Sequence, residues 1–405
     1  MPAKVLKRNF LDYLKEFMHD SKSIGIVLLA CTIASLIVAN LPFGTSYIQF
    51  FEKESSFLHS LRLPHSIAHF TNDGLMAVFF FLVGLEIKRE FTSGELSSFS
   101  KAVLPFGAAL GGMLVPAFIF ILFNRGTIYE EGWGIPMATD IAFSLGVAAI
   151  LGRKFPVALK IFLMALAIID DLGAILVIAF FYGGSISGYW LLAAAVCIAL
   201  LSLLNKRKSA FGWMNIVLGV VLWYCVYNSG IHATIAGVVF AFMVPKKDLT
   251  ELEHSIHNVV NFGILPLFAL VNTAIIINSS LLGELGTTVS IGIFCGLFFG
   301  KPIGVLLACW ILVQHKAVSL PEGTTWGQLA GAGILAGIGF TMSIFISALA
   351  FEQKNVIELA KIVVLISAIL SIIAVLIWMG IVARYNNKQP KIIDMEAEDE
   401  YSNLA

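Results

Sequence analysis

The sequence is poor in charged residues and has no excess of either sign. Charged residues make up 13% of its 405 positions, whereas soluble domains usually carry about 25%. So few charges cannot cover a chain of this length with a polar surface, which excludes an ordinary soluble protein. The 26 basic and 26 acidic residues balance, which argues against a nucleic-acid partner.

The sequence also lacks paired cysteines and metal-binding spacings. Its five cysteines lie singly in apolar runs, where they are typical of small buried apolar residues. They are Cys31, Cys197, Cys225, Cys295 and Cys309. We therefore expect no disulfide framework and no cofactor, and nothing in the sequence predicts an enzyme.

Long apolar runs are what the sequence has instead. Hydrophobic residues make up 58% of the chain, and a membrane-spanning helix needs about 20 such residues in succession. Scanning for these runs predicts an all-α polytopic membrane protein with about twelve spans. The predicted spans are 23–40, 67–88, 102–123, 134–151, 157–182, 187–204, 211–228, 231–245, 257–278, 287–313, 326–350 and 358–383.

Basic residues set the orientation of these spans, because cytoplasmic loops are enriched in Lys and Arg. With a cytoplasmic N-terminus, only five basic residues fall in outer segments: Lys53, Arg62, Arg125, Lys354 and Lys361. We therefore predict that both termini are cytoplasmic. Residues 1–22 form an amphipathic leader, 23–385 a single transmembrane domain, and 386–405 an acidic tail expected to be disordered.

Two spans contain helix breakers and polar groups at mid-depth. The fourth carries Pro136, Thr139 and Asp140 between apolar stretches, and the eleventh carries closely spaced glycines followed by Thr341. Interrupted spans at matching places in two halves indicate inverted repeats with a binding site between them. The repeats would be spans 3–5 and 10–12, with the two broken helices crossing at the midplane. Helix packing through small residues is the alternative, but it does not explain Pro136 or Asp140.

Asp170 and Asp171 lie in the middle of the fifth span. Neighbouring helical residues point about 100° apart, so we expect both side chains to face one cavity rather than each other. At ~6 Å and an effective dielectric of ~20, two carboxylates repel by about 2.8 kcal/mol. At least one should hold a proton at neutral pH unless a cation is bound. The alternative is a pair that serves only helix packing.

Thr139 is predicted to belong to the same cation and proton site, and Asp140 and Lys301 are predicted to compensate the helix ends beside it. Thr139 offers a hydroxyl and an unwound carbonyl beside the break. Asp140 suits the positive N-terminal ends of broken helices, and Lys301 suits their negative C-terminal ends. Lys301 has two alternatives, an ion pair with Asp170 or a side chain that extends to the membrane interface.

Titratable residues gather at the predicted cytoplasmic entrance. They are Glu86, Arg89, Glu253, His254 and His257. Histidine changes its charge near neutral pH, so this group is a candidate pH sensor. The alternative is an ordinary charged helix end. His232, at the outer start of a predicted span, is either a second sensor or a helix cap.

Five stretches of the sequence resemble the NhaA-type sodium/proton antiporter family. They are Thr71–Phe80 with Gly84–Glu90, Ala138–Phe143, Ala167–Gly173, Gly300–Gly304 and Gly337–Phe345. The resemblance implies twelve spans, crossed broken helices and export of Na⁺ or Li⁺ in exchange for H⁺ across a bacterial inner membrane. It implies that Asp171 is the main cation ligand, Asp170 its partner, and Asp140 and Lys301 the compensating charges.

The resemblance also implies a homodimer joined through an extracellular hairpin after the first span. Residues 41–66 occupy that place, with Tyr47, Gln49 and Phe51 loosely patterned as strands.

Three other functions remain open at this stage. A membrane aspartyl protease needs two Asp that face each other across a water, which adjacent Asp170 and Asp171 do not supply. A passive cation channel could use the same acidic site without proton competition. K⁺/H⁺ exchange would keep the mechanism and change the ion.

Overall fold

The computed structural model describes residues 21–206, 211–316 and 318–386. The predicted amphipathic leader 1–22 and the predicted acidic tail 386–405 lie outside these residues, apart from the positions at their inner edges. Within the described ranges the chain is helical and contains no β-strand. This confirms the predicted all-α class.

The helices follow one another with short connections. In chain order they are α1 (Ser21–Ala39), α2 (Gly44–Glu52), α3 (Ser56–Ser60), α4 (Ile67–His69), α5 (Met76–Ser93), α6 (Phe99–Asn124), α7 (Ile141–Leu151), α8 (Val157–Phe181), α9 (Gly188–Lys206), α10 (Trp213–Tyr227), α11 (Ile235–Met243), α12 (Leu249–Val259), α13 (Leu265–Asn272), α14 (Ser279–Gly283), α15 (Thr288–Cys295), α16 (Lys301–Gln314), α17 (Trp326–Ala336), α18 (Phe340–Ala350) and α19 (Lys354–Asn386). The 3₁₀ segments are Glu95–Ser97, Glu130–Met137, Gly152–Lys154, Lys246–Asp248 and Glu284–Gly286.

Nine helical runs among the described residues are long and apolar enough to cross a membrane. The pair α17 and α18 meets at a 43° bend and counts as a tenth when taken as one broken span. This confirms a polytopic membrane protein. Helices also occupy the two other predicted spans, but α10 has 15 residues and α11 has 9, fewer than the ~20 that cross a bilayer. The number twelve therefore stays a prediction.

Three of the long runs contain a turn of π-helix. These turns are Phe70–Leu75, Val260–Ile264 and Gly296–Gly300, which join α4 to α5, α12 to α13 and α15 to α16. A π turn widens the helix and redirects the side chains that follow, and such turns occur often at functional sites. The third turn ends immediately before Lys301.

Close packing of α6 against α16 positions Lys301. The two helices touch backbone to backbone at Gly111 and Gly304, where a Cβ on either residue would collide with the other helix. Small residues allow this approach in membrane helices, where van der Waals packing drives association. A Cβ on Gly112 would lie 3.0 Å from Cγ2 of Val305 and, at ordinary contact distance, 3.6 Å from Cδ of Lys301, so this glycine lets α6 pack closely against α16 beside the lysine.

Residues 41–66 form helices rather than the hairpin implied by the resemblance. The strand pattern at Tyr47 and Phe51 is misleading, because these residues lie four apart on one face of α2 with ring centroids 4.9 Å apart. Phe51 is buried, and the Tyr47 hydroxyl lies 3.2 Å from Oγ of Ser35. Packing against α1 therefore decides the local structure, and the expectation of strands is wrong.

Candidate functional site

The two interrupted helices meet at their breaks. Residues 138–140 separate the 3₁₀ segment Glu130–Met137 from α7, and residues 337–339 separate α17 from α18. The backbone N–H of Asp140 donates to the carbonyl oxygen of Ile338 at 2.8 Å. The fourth and eleventh predicted spans therefore touch where each loses its regular hydrogen bonding.

Asp140 joins the N-terminal ends of α7 and α18. Its Oδ1 accepts the backbone N–H of Phe143 at 2.9 Å, and its Oδ2 accepts the N–H of Thr341 at 3.0 Å and the Thr341 hydroxyl at 2.5 Å. A carboxylate stabilises the unpaired N–H groups and the positive dipole at a helix start. Asp140 therefore lies at two helix N-terminal ends, and its role as a compensating charge stays a prediction.

Lys301 lies at a C-terminal helix end, that of the 3₁₀ segment Glu130–Met137. Its side chain is fully buried, and Nζ donates to the carbonyl oxygen of Met137, the last residue before the fourth-span break. The same Nζ lies 2.6 Å from Oδ2 of Asp170. Both roles considered for Lys301 are therefore present together, and its side chain does not extend to a membrane interface.

Within the part of the chain that the structure describes, only one carboxylate oxygen of Asp170 has hydrogen-bond partners. Its Oδ2 receives Lys301 and accepts the Thr139 hydroxyl at 2.7 Å, while its Oδ1 has no hydrogen-bond partner among the described residues. The Thr139 hydroxyl also lies 2.9 Å from the carbonyl oxygen of Ala336. Because a hydroxyl carries one hydrogen, Thr139 can donate to only one of these acceptors at a time.

Asp171 differs from its neighbour in having no bonded partner. It is 1% exposed, and no hydrogen bond reaches it from any described residue. Asp171 lines a cavity of about 700 Å³, whereas Asp170 is absent from the described lining. The 100° between successive helical residues explains the difference. The expectation that both side chains face one cavity is therefore wrong for Asp170.

The cavity leads from Asp171 towards the predicted cytoplasmic entrance. The polar and charged residues along it are Asp140, Thr341, Glu86, Arg89, Glu253, His254, His257, Asn258 and Asn261. Asp171 and all five residues of the predicted entrance group thus share one space, whereas Asp170 and Thr139 are absent from its described lining. A buried carboxylate with free oxygens at the end of a polar cavity is suited to bind a proton or a small hard cation.

An ion pair joins α5 to α12 among the charged residues that line the cavity. Arg89 Nε lies 2.9 Å from Glu253 Oε2, and an Arg89 terminal nitrogen lies 3.1 Å from Glu90 Oε1. His257 Nε2 is 3.0 Å from the side-chain nitrogen of Asn261, which lies in the π turn after α12. These contacts link charged entrance residues to the packing of two membrane helices.

His232 lies apart from this group. Its Nδ1 is 2.8 Å from the Thr234 hydroxyl, and its Nε2 is 3.5 Å from Asp73 Oδ1. The cavity that holds Asp171 does not include His232 in its described lining.

The sequence interpretation did not assign a site role to Thr341, although it noted the residue at the eleventh-span break. The available signal was that each break carries a threonine, Thr139 in the first half and Thr341 in the second. Thr341 binds the same carboxylate that caps α7, which only the contact between the two breaks reveals.

Within the described part of the chain, nine or more apolar helical runs, two touching helix breaks and a buried acidic pair, of which Asp171 lines a polar cavity, define a multi-pass membrane transport protein for ions. The sequence pattern of the family described as Na⁺/H⁺ antiporter 1 matches residues 15–379. The chain belongs to this family, whose transport activity is Na⁺/H⁺ exchange.

Curated relatives cover nearly the whole chain. A protein of Cytophaga hutchinsonii named Na(+)/H(+) antiporter NhaA is 48% identical over 371 residues, which is 90% of this chain and 94% of the relative. The Na(+)/H(+) antiporter NhaA 1 of Flavobacterium johnsoniae is 47% identical, covering 88% and 93%. The Na(+)/H(+) antiporter NhaA of Psychrobacter cryohalolentis is 43% identical, covering 89% and 93%.

Proposed function

We propose that this protein exports Na⁺ or Li⁺ from the cytoplasm in exchange for H⁺, by alternating access to Asp170 and Asp171. The exchange is electrogenic, is regulated by pH and serves sodium and pH homeostasis. The protein acts in the bacterial inner membrane with both termini in the cytoplasm, as the distribution of Lys and Arg predicts.

The observation that carries this proposal is the position of Asp171. Its carboxylate has no bonded partner among the described residues and faces a polar cavity from a nearly fully buried position. A charge in that position is costly unless a proton or a cation neutralises it. Competition between H⁺ and Na⁺ for the same oxygens then couples the two fluxes.

Neighbouring groups complete the proposed cation site. The free Oδ1 of Asp170 and the oxygens of Thr139 supply further oxygen ligands of the kind that hard cations prefer. Lys301 neutralises Asp170 from the opposite side. Asp140 and Lys301 balance the helix ends and do not need to bind the transported ion.

Exchange of two protons for one Na⁺ moves one net positive charge inward per cycle. One proton resides on Asp171, and the other on Asp170 or on Lys301. The net charge is the same in both cases. A membrane potential supplies about 2.3 kcal/mol per charge per 100 mV, so it drives Na⁺ export without a pH gradient.

The pH response belongs to the entrance residues Glu86, Arg89, Glu253, His254 and His257. Their shared cavity with Asp171 and the ion pair between Arg89 and Glu253 support this assignment. His232 is proposed as a separate outer sensor, since it faces Asp73 instead.

The assembly and the repeats follow from the family. We propose a homodimer within the lipid bilayer, with the helical segment 44–60 taking the place of the implied hairpin. The contacts between the two breaks support spans 3–5 and 10–12 as inverted repeats within one transmembrane domain, residues 23–385.

The test uses everted membrane vesicles with an acidified interior and a pH-sensitive dye. Na⁺, Li⁺ or K⁺ is added at several pH values to vesicles with the wild type or with Asp171→Asn. We expect Na⁺ and Li⁺ to restore fluorescence with the wild type only, because the variant lacks the exchangeable negative charge. Dequenching by K⁺ alone would show that the protein exchanges K⁺ instead of Na⁺ or Li⁺. Exchange by the Asp171→Asn variant would show that the Asp171 carboxylate is not required for transport.

A further inference from the structure

Broken helices leave carbonyl groups without intrahelical donors at each C-terminal end, and here the residues that carry these carbonyls are buried, so their oxygens need partners within the protein. In α17 the carbonyls near the break are those of Leu335 and Ala336. In the segment Glu130–Met137 they are those of Ile135 and Met137. Thr139 lies within reach of Ala336, and Lys301 binds Met137. Leu335 O accepts the Ile338 N–H at 3.1 Å, but a carbonyl oxygen has a second lone pair that can accept another hydrogen bond. This second acceptor position on Leu335 and the carbonyl of Ile135 remain to be explained.

Two serines bind these remaining carbonyls in a reciprocal way. The Ser144 hydroxyl, in α7 after the first break, donates to Leu335 O before the second break at 2.8 Å. The Ser343 hydroxyl, in α18 after the second break, donates to Ile135 O before the first at 2.7 Å. Both serines are fully buried.

The two serines also occupy matching places in their helices. The Ser144 backbone N–H binds Asp140 O at 2.9 Å, and the Ser343 N–H binds Gly339 O at 2.8 Å. Each serine therefore sits one turn into the helix that follows its break. Each carbonyl that it binds belongs to the last turn before the opposite break. The two hydrogen bonds have the same form, with the two interrupted helices exchanged.

We propose that Ser144 and Ser343 are positioning residues that form one clasp across the two breaks and thereby set the affinity of the cation site. We call these two residues and their two hydrogen bonds the serine clasp. This inference rests on the proposed function, because the clasp acts through Thr139 and Asp140. It fixes the distance from those residues to Asp170 and Asp171 without touching the ion.

The clasp couples the two helices because each bond ends on the other helix. Removal of either hydroxyl breaks one buried side-chain hydrogen bond between the two interrupted helices, although Leu335 O keeps the Ile338 N–H as a donor. The breaks can then relax to another separation. A cation that needs oxygens from both breaks loses affinity when their spacing changes. Transport at saturating Na⁺ is affected less, since no ligand or proton-carrying group is removed.

The test measures Na⁺-induced dequenching in everted vesicles with Ser144→Ala, Ser343→Ala and the double variant. We expect the half-saturating Na⁺ concentration to rise about tenfold in each single variant, the size of one lost buried hydrogen bond. The maximal rate should change far less. The double variant should resemble the single ones, because either change opens the same clasp.

Ser347→Ala is the matched control. Ser347 is also fully buried and also lies in α18, but its hydroxyl donates to Ile344 O in its own helix at 2.8 Å. We expect its half-saturating Na⁺ concentration to stay at the wild-type value. An equal shift in Ser347→Ala, or no shift in the clasp variants, would overturn the proposal.

Thermal unfolding of the purified protein separates this proposal from the proposed function. The destabilisation by Ser144→Ala and Ser343→Ala should be non-additive. That of Ser144→Ala and Ser347→Ala should add, because these two serines lie in different helices and bind different carbonyls. Additive clasp variants would contradict the clasp. If the wild type exchanged no cation but the two clasp substitutions were still non-additive in unfolding, the serine clasp would be supported. The proposed function alone would then be rejected.

Discussion

At the scale of single residues, two lysine–carboxylate pairs of equal length differ only in their surroundings. Lys301 and Asp170 lie 2.6 Å apart, and both side chains are 0% exposed. Lys354 and Glu52 also lie 2.6 Å apart, but their side chains are 60% and 49% exposed. Distance alone therefore says nothing about their energetic importance, and burial decides which pair the fold depends on.

Lys301→Met should destabilise the protein strongly. The variant leaves the buried Asp170 without its cation, a change that costs about 3–5 kcal/mol. Lys354→Met should cost only about 0–1 kcal/mol, because water solvates the Glu52 that remains. Thermal unfolding of both variants in detergent compares these effects directly. The double variant Lys301→Met with Asp170→Asn should recover most of the lost stability, because the remaining unpaired charge is removed.

Equal effects of the two lysine substitutions would show that burial does not control the strength of these pairs. Failure of Asp170→Asn to restore stability would show that Lys301 acts mainly through the Met137 carbonyl. The transport assay is not needed for either result.

The sequence predicted the identity of these residues better than their arrangement. A buried charge is expensive, so Asp140, Asp170, Asp171 and Lys301 stood out in apolar runs. The helical period could not show that Asp170 turns towards Lys301 while Asp171 turns into the cavity. That division depends on the π turn before Lys301 and on the packing of α6 against α16, which have no simple sequence signal.

At the scale of helices, proline and glycine predicted the helix breaks correctly, whereas a short alternating pattern of apolar residues did not predict the local structure correctly. Pro136 and the glycines near Gly339 predicted both breaks, because these residues prevent continuous helix at fixed positions. The pattern at Tyr47 and Phe51 fitted a strand and a helix equally well over so few residues. The π turns were not predicted, since their extra residue follows from contacts with neighbouring helices.

The contact between α5 and α12 predicts a change in pH response. Glu253→Gln removes the negative charge that faces Arg89 at 2.9 Å, so the cavity entrance loses a group whose charge changes with pH. We expect the pH profile of dequenching to shift while maximal exchange is retained, because Glu253 is not a proposed ion ligand. The measurement is the everted-vesicle assay repeated over a range of pH values.

Glu251→Gln is the control for this prediction. Glu251 lies in the same helix α12 but is exposed and absent from the described cavity lining. Its pH profile should match that of the wild type. An unchanged profile in Glu253→Gln, or the same shift in Glu251→Gln, would count against a pH response at this entrance.

At the scale of the whole molecule, composition and long apolar runs predicted a multi-pass protein, and the helical runs confirm it. The orientation indicated by the basic residues stays a prediction. Helix length alone does not fix the number of spans, because α10 and α11 are shorter than the ~20 residues that cross a bilayer. Gly230 adopts a φ of 88° between them, a left-handed conformation that glycine accepts at little cost. The chain turns there instead of extending either helix.

Electrogenic exchange makes a prediction about direction that separates an exchanger from a channel. In proteoliposomes with equal Na⁺ and equal pH on both sides, a valinomycin-mediated K⁺ potential makes the interior negative. Two protons then enter for each Na⁺ that leaves, so Na⁺ should move outward and the interior should acidify. A potential of 100 mV supplies about 2.3 kcal/mol per cycle, enough for a Na⁺ gradient of about 50-fold at constant pH.

A passive cation channel would respond to the same potential in the opposite way. A negative interior attracts Na⁺, so a channel gives Na⁺ entry and requires no proton movement. Isotopic Na⁺ and an internal pH dye, read together, distinguish the two mechanisms, and Asp171→Asn controls for leakage through the lipid. If the potential causes no net movement of either Na⁺ or H⁺, the protein exchanges one proton per Na⁺. Asp171 would then exchange its ligand alone, and Asp170 would remain bound to Lys301 throughout the cycle.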